Sequence, residues 1–287
     1  MSFAQTVLLG ALAGSTIYLG LPVGRMRLLS TRGRVALAMF SVGVLAFIFV
    51  DVISNGLDIV RTAIEAYKHG HQSIGRAIWL VVVMALGFTA GSAGLAMVER
   101  RLRPLGARRP PIAGGSGVAA LTGEEADAVT LELDAARRRA LRTGLTIAGA
   151  IGVHNFAEGL AIGVSARAGA ISLATVLIIG FALHNATEGF GIVGPLGDVK
   201  PSWRWLGLAG LIGGGPTFVG SLVGYAVTST ALELAFYALA GGAILYVIGE
   251  VWTAMRRYGH RELGLMMLSA GFLIGVLTDL VITYGGG

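Results

Sequence analysis

Two of the five histidines in this chain stand in the same hexapeptide. His154-Asn155-Phe156-Ala157-Glu158-Gly159 and His184-Asn185-Ala186-Thr187-Glu188-Gly189 share the pattern H-N-x-x-E-G. Positions three and four apart lie on one face of an α-helix. His154 and Glu158 can therefore chelate one ion with the Asn155 carbonyl oxygen beside them, and His184, Asn185 and Glu188 can repeat the arrangement from a neighbouring helix. Two imidazoles, two carboxylates and two amides suit Zn²⁺, Fe²⁺, Mn²⁺ or Cd²⁺ better than Mg²⁺ or Ca²⁺, which prefer shells made of oxygen. A single buried His–Glu pair is more often a polar contact between helices. Two copies of one hexapeptide shift that balance to a metal site. Gly159 and Gly189 loosen their helices, which can free backbone carbonyls as further ligands.

The elements that carry these residues belong to a membrane. The chain has 287 residues, of which 54% are hydrophobic and 13% charged, with 45 glycines and no cysteine. Mean hydropathy is +0.75. A soluble domain is about 25% charged. Apolar segments at residues 6–24, 35–53, 77–97, 141–161, 171–193, 206–227, 231–253 and 264–284 are each long enough to cross a hydrocarbon core about 30 Å thick. The expected fold is all-α, a polytopic membrane protein with eight transmembrane helices. The first segment has no basic flank before it and no small-residue cleavage site after it, so it is expected to stay as a span and not to be removed as a signal peptide. A soluble enzyme, a disordered chain and a nucleic-acid binder are excluded. Without cysteine there is no disulfide and no thiolate site.

Three parts are expected: residues 1–98 with the first three helices, a linker over 99–140, and residues 141–287 with helices four to eight and the metal motifs. The linker's Pro/Gly-rich half is expected to have no fixed structure. Its second half, 124–142, can form a helix leading into the fourth span. Lys and Arg give the orientation. With the N-terminus outside, every one of the 22 except Arg61, Lys68, Arg76 and Arg167 falls on the cytoplasmic side. Both termini are then extracytoplasmic, and orientation accounts for the net charge of +6 with no nucleic acid as partner. Five GxxxG pairs, Gly10/Gly14, Gly87/Gly91, Gly159/Gly163, Gly220/Gly224 and Gly271/Gly275, permit close helix packing, with sliding surfaces as the alternative.

The paired motif resembles the signature of the ZIP (Zrt/Irt-like) metal transporters, in the spelling of their prokaryotic GufA-like branch. Eight spans, outside termini and a long loop between the third and fourth spans fit the same pattern, so the resemblance covers essentially the whole chain. It implies that His154, Asn155, Glu158, His184, Asn185 and Glu188 line a transport site. It also implies that divalent metal moves into the cytoplasm of a prokaryotic cell while one bundle shifts against another. An inside-negative potential favours that direction by about 2.3 kcal/mol per charge per 100 mV. The chain departs from the family at Gly215, before Pro216 of the sixth span, where many members have an acidic residue, and at Asn185, where relatives can carry Asp. One main site is the expectation. The linker also lacks the histidine-rich stretch common in the family.

Weaker candidates lie along the expected path. Asp51, with Ser54 and Asn55 one turn on, is either an entrance ligand or part of a solvated helix end. Glu250 is either an exit-path ligand, which the resemblance supports, or an interfacial carboxylate paired with Arg256 or Arg257. Asp279 and Glu233 are expected to be solvated near the outer surface. His69 and His71, in the loop after the second span, are weak candidates for capturing a passing ion. The leading function is transport of Zn²⁺ foremost, and also of Fe²⁺, Mn²⁺ or Cd²⁺, with the ion as cargo and no resident cofactor. Neutral imidazoles and ionised carboxylates form the binding state, so affinity should fall on acidification. The alternatives are an intramembrane metal-dependent hydrolase, for which no HExxH is present, and a metal-selective channel. The partners are the ion and the lipid bilayer, with a homodimer left open.

Overall fold

The computed structural model describes residues 2–26, 30–102, 123–167, 184–226 and 229–285. Among these residues there is no β-strand. The helices are α1 (Phe3–Ser15), α2 (Ile17–Gly20), α3 (Thr31–Lys68), α4 (Ile74–Thr89), α5 (Leu95–Leu102), α6 (Gly123–Arg167), α7 (residues 184–193), α8 (Trp203–Ala226), α9 (Thr230–Arg256) and α10 (Arg261–Gly285). Among the described residues, seven segments are long and apolar enough to cross a membrane: Phe3–Arg25, Thr31–Lys68, Ile74–Arg101, Val129–Val164, Trp203–Ala226, Thr230–Arg256 and Arg261–Val281. Of the expected fifth span at 171–193, residues 171–183 lie outside the described residues and α7 is the remainder.

Local sequence accounts for the helix ends. Ser2 and Gln5 form a reciprocal cap at the start of α1, Gln5 N donating to Ser2 Oγ and Ser2 N to Gln5 Oε1. Ser30 accepts from Gly33 N at the start of α3. Helix α3 runs 38 residues, well past the apolar stretch that ends at Ile53, because no proline intervenes and Gly56 alone does not stop it before Gly70. At Gly70 the chain turns with φ +74°, which glycine adopts without strain. Asp51 therefore sits in the middle of a helix. The third span continues from α4 through a π-helical turn, Ala90–Gly94, into α5. Gly123 to Arg167 form one 45-residue helix, so the later part of the linker is continuous with the fourth span.

Glycines sort the helices into two groups by backbone contact. In one group α8 packs on α1 and α6. A Cβ at Gly214 would stand 2.1 Å from the Gly14 carbonyl oxygen, and one at Gly220 would stand 2.1 Å from that of Phe156. Helix α2 meets α7 in the same way, since a Cβ at Gly20 would stand 2.0 Å from Ala186 O. In the other group α10 packs on α3, Gly271 against Phe40 O, and α9 packs on the third span, Gly242 against Phe88 O. All five GxxxG pairs make their close contacts inside one group or the other. Close helix packing is what they serve. Across the boundary the close contacts involve side chains, such as Phe156 of α6 against Phe236 of α9 with ring centroids 4.8 Å apart.

Candidate metal centre

The first hexapeptide lies within α6 and the second within α7. Gly159 lets α6 approach α8, and Gly189 lets α7 approach α2, where a Cβ would stand 2.8 Å from Gly20 Cα. The two motifs are thereby held with their histidines face to face, ring centroids 6.3 Å apart. His154 Nε2 lies 3.0 Å from Glu158 Oε1, the expected i, i+4 pair. The same carboxylate oxygen contacts His184 Nε2. Ligand atoms of His154, Glu158 and His184 all lie within 4.8 Å of one another. Glu188 Oε1 is 3.6 Å from His154 Nε2.

The two asparagines have different partners. Asn155 Nδ2 donates to Glu188 Oε2 at 3.1 Å and to the Gly213 carbonyl at 3.0 Å. It thus ties the second carboxylate to α6 and α8. Asn185 Nδ2 donates to the Ala13 carbonyl of α1 at 3.0 Å. His154, Asn155, Glu158, Asn185 and Glu188 are all buried. Several of their atoms have no hydrogen-bond partner: His154 Nδ1, Asn155 Oδ1, Glu158 Oε2, Asn185 Oδ1 and Glu188 Oε1. Buried polar groups are seldom left in that condition. A concentration of unsatisfied acceptors around two imidazoles matches the needs of a divalent cation.

His154, Glu158 and His184 open onto a cavity of about 300 Å³ lined by α3, α6, α7, α9 and α10. Asp51 and Asn55 line it from α3, as do Tyr237, Thr278 and Asp279 from the other side. Asp279, expected at the outer surface, is half-buried in this wall. Tyr237 was not singled out by sequence, because a lone tyrosine in an apolar span carries no spacing signal. Glu233 lines a separate cavity with Arg167. Glu250 is half-buried on α9, and it is not among the residues lining the metal cavity. His69 and His71 are exposed after α3, their rings 6.4 Å apart. Glu99, placed by sequence at the start of the linker, belongs to α5 and is buried, accepting from Tyr246 Oη at 3.1 Å.

No protein-family model matches the chain. The chain is 29% identical over 143 residues to the zinc transporter ZupT of Clostridium perfringens, an alignment covering 47% of this chain and 48% of that protein. The chain thus spans about half the length of the curated relative it matches, and what it is similar to is a zinc transporter.

Proposed function

We propose that this chain is a carrier for divalent transition-metal ions, Zn²⁺ foremost, across a prokaryotic cell membrane into the cytoplasm. The observation that carries the reading is the convergence of His154, Glu158 and His184, with ligand atoms within 4.8 Å of one another deep among apolar helices. Glu188 and Asn155 complete the surroundings of the ion, and Asn185 anchors the second motif to α1. Two carboxylates balance one divalent charge, which favours a single main site. The relative's name supports the choice of zinc, and the Lys/Arg distribution supports the orientation.

The ion arrives past Asp51, exchanges water for imidazole and carboxylate, and leaves when the site opens to the other side. The division of the helices supports the way this happens. The ligands all belong to the group α1, α2, α6, α7 and α8, whose members interlock through backbone contacts at glycine. The group α3, α4, α9 and α10 meets it without interlocked glycine backbones, a boundary that can shift without breaking the interior of either group once the polar contacts that fasten one end are released. Uptake of radioactive zinc into proteoliposomes tests the reading. Saturable uptake is expected in the wild type and is expected to be lost in Glu158→Ala and His184→Ala. Equal uptake by all three would remove these residues from the transport site.

A further inference from the structure

One face of α3 carries Arg34, Leu37, Ala38, Ser41, Val44, Ile48 and Asp51 at three- and four-residue spacing. Val44, Ile48 and Asp51 line the metal cavity. Arg34, Leu37 and Ala38 line a second cavity of about 230 Å³. Helix α7 is divided in the same way: His184 and Thr187 face the first cavity, Phe190 and Val193 the second. The one-turn gap between the cavities is occupied by Ser41 of α3 and Gly191 of α7. A Cβ at position 191 would stand 2.9 Å from Ser41 Oγ, so glycine leaves that hydroxyl facing open backbone.

Ser41 is fully buried and its Oγ has no hydrogen-bond partner. Helical serines and threonines ordinarily satisfy themselves on a carbonyl of the preceding turn. Thr89, Ser92, Ser221, Ser269 and Thr278 of this chain do so. Ser41 stands apart from them at the junction of two cavities. The second cavity also has one carboxylate among its lining residues, Asp198, in the connection after α7. Arg34 of α3 holds it at 2.5 Å. Arg257, at the end of α9, donates to the Pro195 carbonyl of the same connection at 3.1 Å. One helix group is thereby fastened to the other at this end. Glu250 lines neither cavity.

We propose that the route of the ion between the two cavities passes Ser41, whose hydroxyl oxygen is a transit ligand, and that the Arg34–Asp198 ion pair closes the far end of that route. The proposal rests on the transport function proposed above. An ion leaving two imidazoles crosses a collar in which Ala38 and Gly194 offer no ligand atom on their side chains, and the Ser41 oxygen replaces part of its shell there. When the pair parts and Arg34 swings out of the cavity, the Asp198 carboxylate is free to receive the ion and offsets the positive charge of Arg25 and Lys200, which also line it.

The absence of cysteine from the chain makes Ser41→Cys a single reporter. In proteoliposomes its reaction with a membrane-impermeant methanethiosulfonate is expected to be slow. Arg34→Asp should quicken the reaction at least threefold by turning attraction into repulsion. Adding Asp198→Arg should restore the pair with its signs exchanged and return the slow rate. One unchanged rate in all three backgrounds would overturn the closure. In the same vesicles Ser41→Ala is expected to lower the maximal rate of zinc uptake severalfold, with half-saturation unchanged. An unaltered maximal rate would overturn the transit ligand. No zinc uptake by the wild type would overturn the proposed function and the transit role with it. The labelling arm, which needs no zinc, would still decide the closure.

Discussion

The two copies of H-N-x-x-E-G are identical at four of six positions and have different surroundings. In the first, Glu158 lies against both imidazoles and Asn155 reaches the other motif's carboxylate. In the second, Glu188 stands farther from His154, and the Asn185 amide reaches α1. His154 is fully buried, while the His184 side chain retains 14% exposure beside the cavity. Each glycine selects the neighbour of its own copy, α8 for Gly159 and α2 for Gly189. A repeated motif therefore supplies ligand types twice, and the helices packed against each copy decide which atoms meet. In the proposed site the first copy supplies His154 and Glu158 to the centre and the second adds His184, while Glu188 flanks it and Asn185 anchors the second copy to α1.

That asymmetry is most severely tested at the carboxylates. Glu158→Ala removes the oxygen shared by both histidines and is expected to lower zinc affinity by at least about 100-fold, beyond the roughly 10–100-fold typical of losing a group that only supports a ligand. Glu188→Ala should cost about tenfold. Titration calorimetry of purified protein with zinc compares them, and equal losses would make the two copies equivalent after all.

The glycines come next, and here the effect falls on stability. A Cβ at Gly159 would stand 2.1 Å from Thr217 O, with α8 straight behind it. At Gly189 the nearest atoms, in the short α2 segment, are 2.8 Å away. Overpacking costs roughly 1–3 kcal/mol. Gly159→Ala is expected at or above the top of that range and Gly189→Ala near the bottom, because the Cβ would overlap its neighbour far more at 2.1 Å than at 2.8 Å. Thermal unfolding in detergent should give Gly159→Ala the lower Tm. The reverse order would mean that α2 is the more rigidly held of the two.

Much of the site was legible because it depends on spacing within one helix. His154 and Glu158 meet as the four-residue interval requires, and the repeat identified the second helix. Partners from distant segments were not legible. Nothing local to Asn155 and Asn185 says that one faces Glu188 and the other Ala13. The apolar runs located the membrane-crossing segments but not the helix ends, since the continuation of α3 past Ile53 is polar enough to leave the hydropathy window while still helical. Of the two readings of Asp51, an entrance ligand or part of a solvated helix end, its place mid-helix on a cavity wall removes the helix end. That Asp279 shares this cavity wall was not legible for a related reason: hydropathy measures depth along one helix and carries no information on what the neighbouring helix encloses.

The asparagines give the finer pair of tests. Asn155→Ala releases Glu188 and the Gly213 carbonyl together, and a reduction in zinc affinity of roughly 10–100-fold is expected, the range found when a group orienting a metal ligand is removed. Because Asn155 acts through Glu188, the loss is expected at the low end of that range, no larger than the roughly tenfold of Glu188→Ala. Calorimetry reads it directly, and an unchanged affinity would show that Glu188 needs no such support.

Asn185→Ala is the smallest of these effects and the most specific to the comparison. The Ala13 carbonyl that it would lose also accepts from Thr16 N and Thr16 Oγ1, so no acceptor is stranded and the cost is that of one hydrogen bond, about 1 kcal/mol. A lower Tm with zinc affinity changed by less than about twofold is the expected result, since an anchor acts on where α7 rests and not on the ion's ligands. An affinity loss as large as that of Asn155→Ala, with Tm unmoved, would put the Asn185 oxygen on the ion and make the second copy a true duplicate of the first.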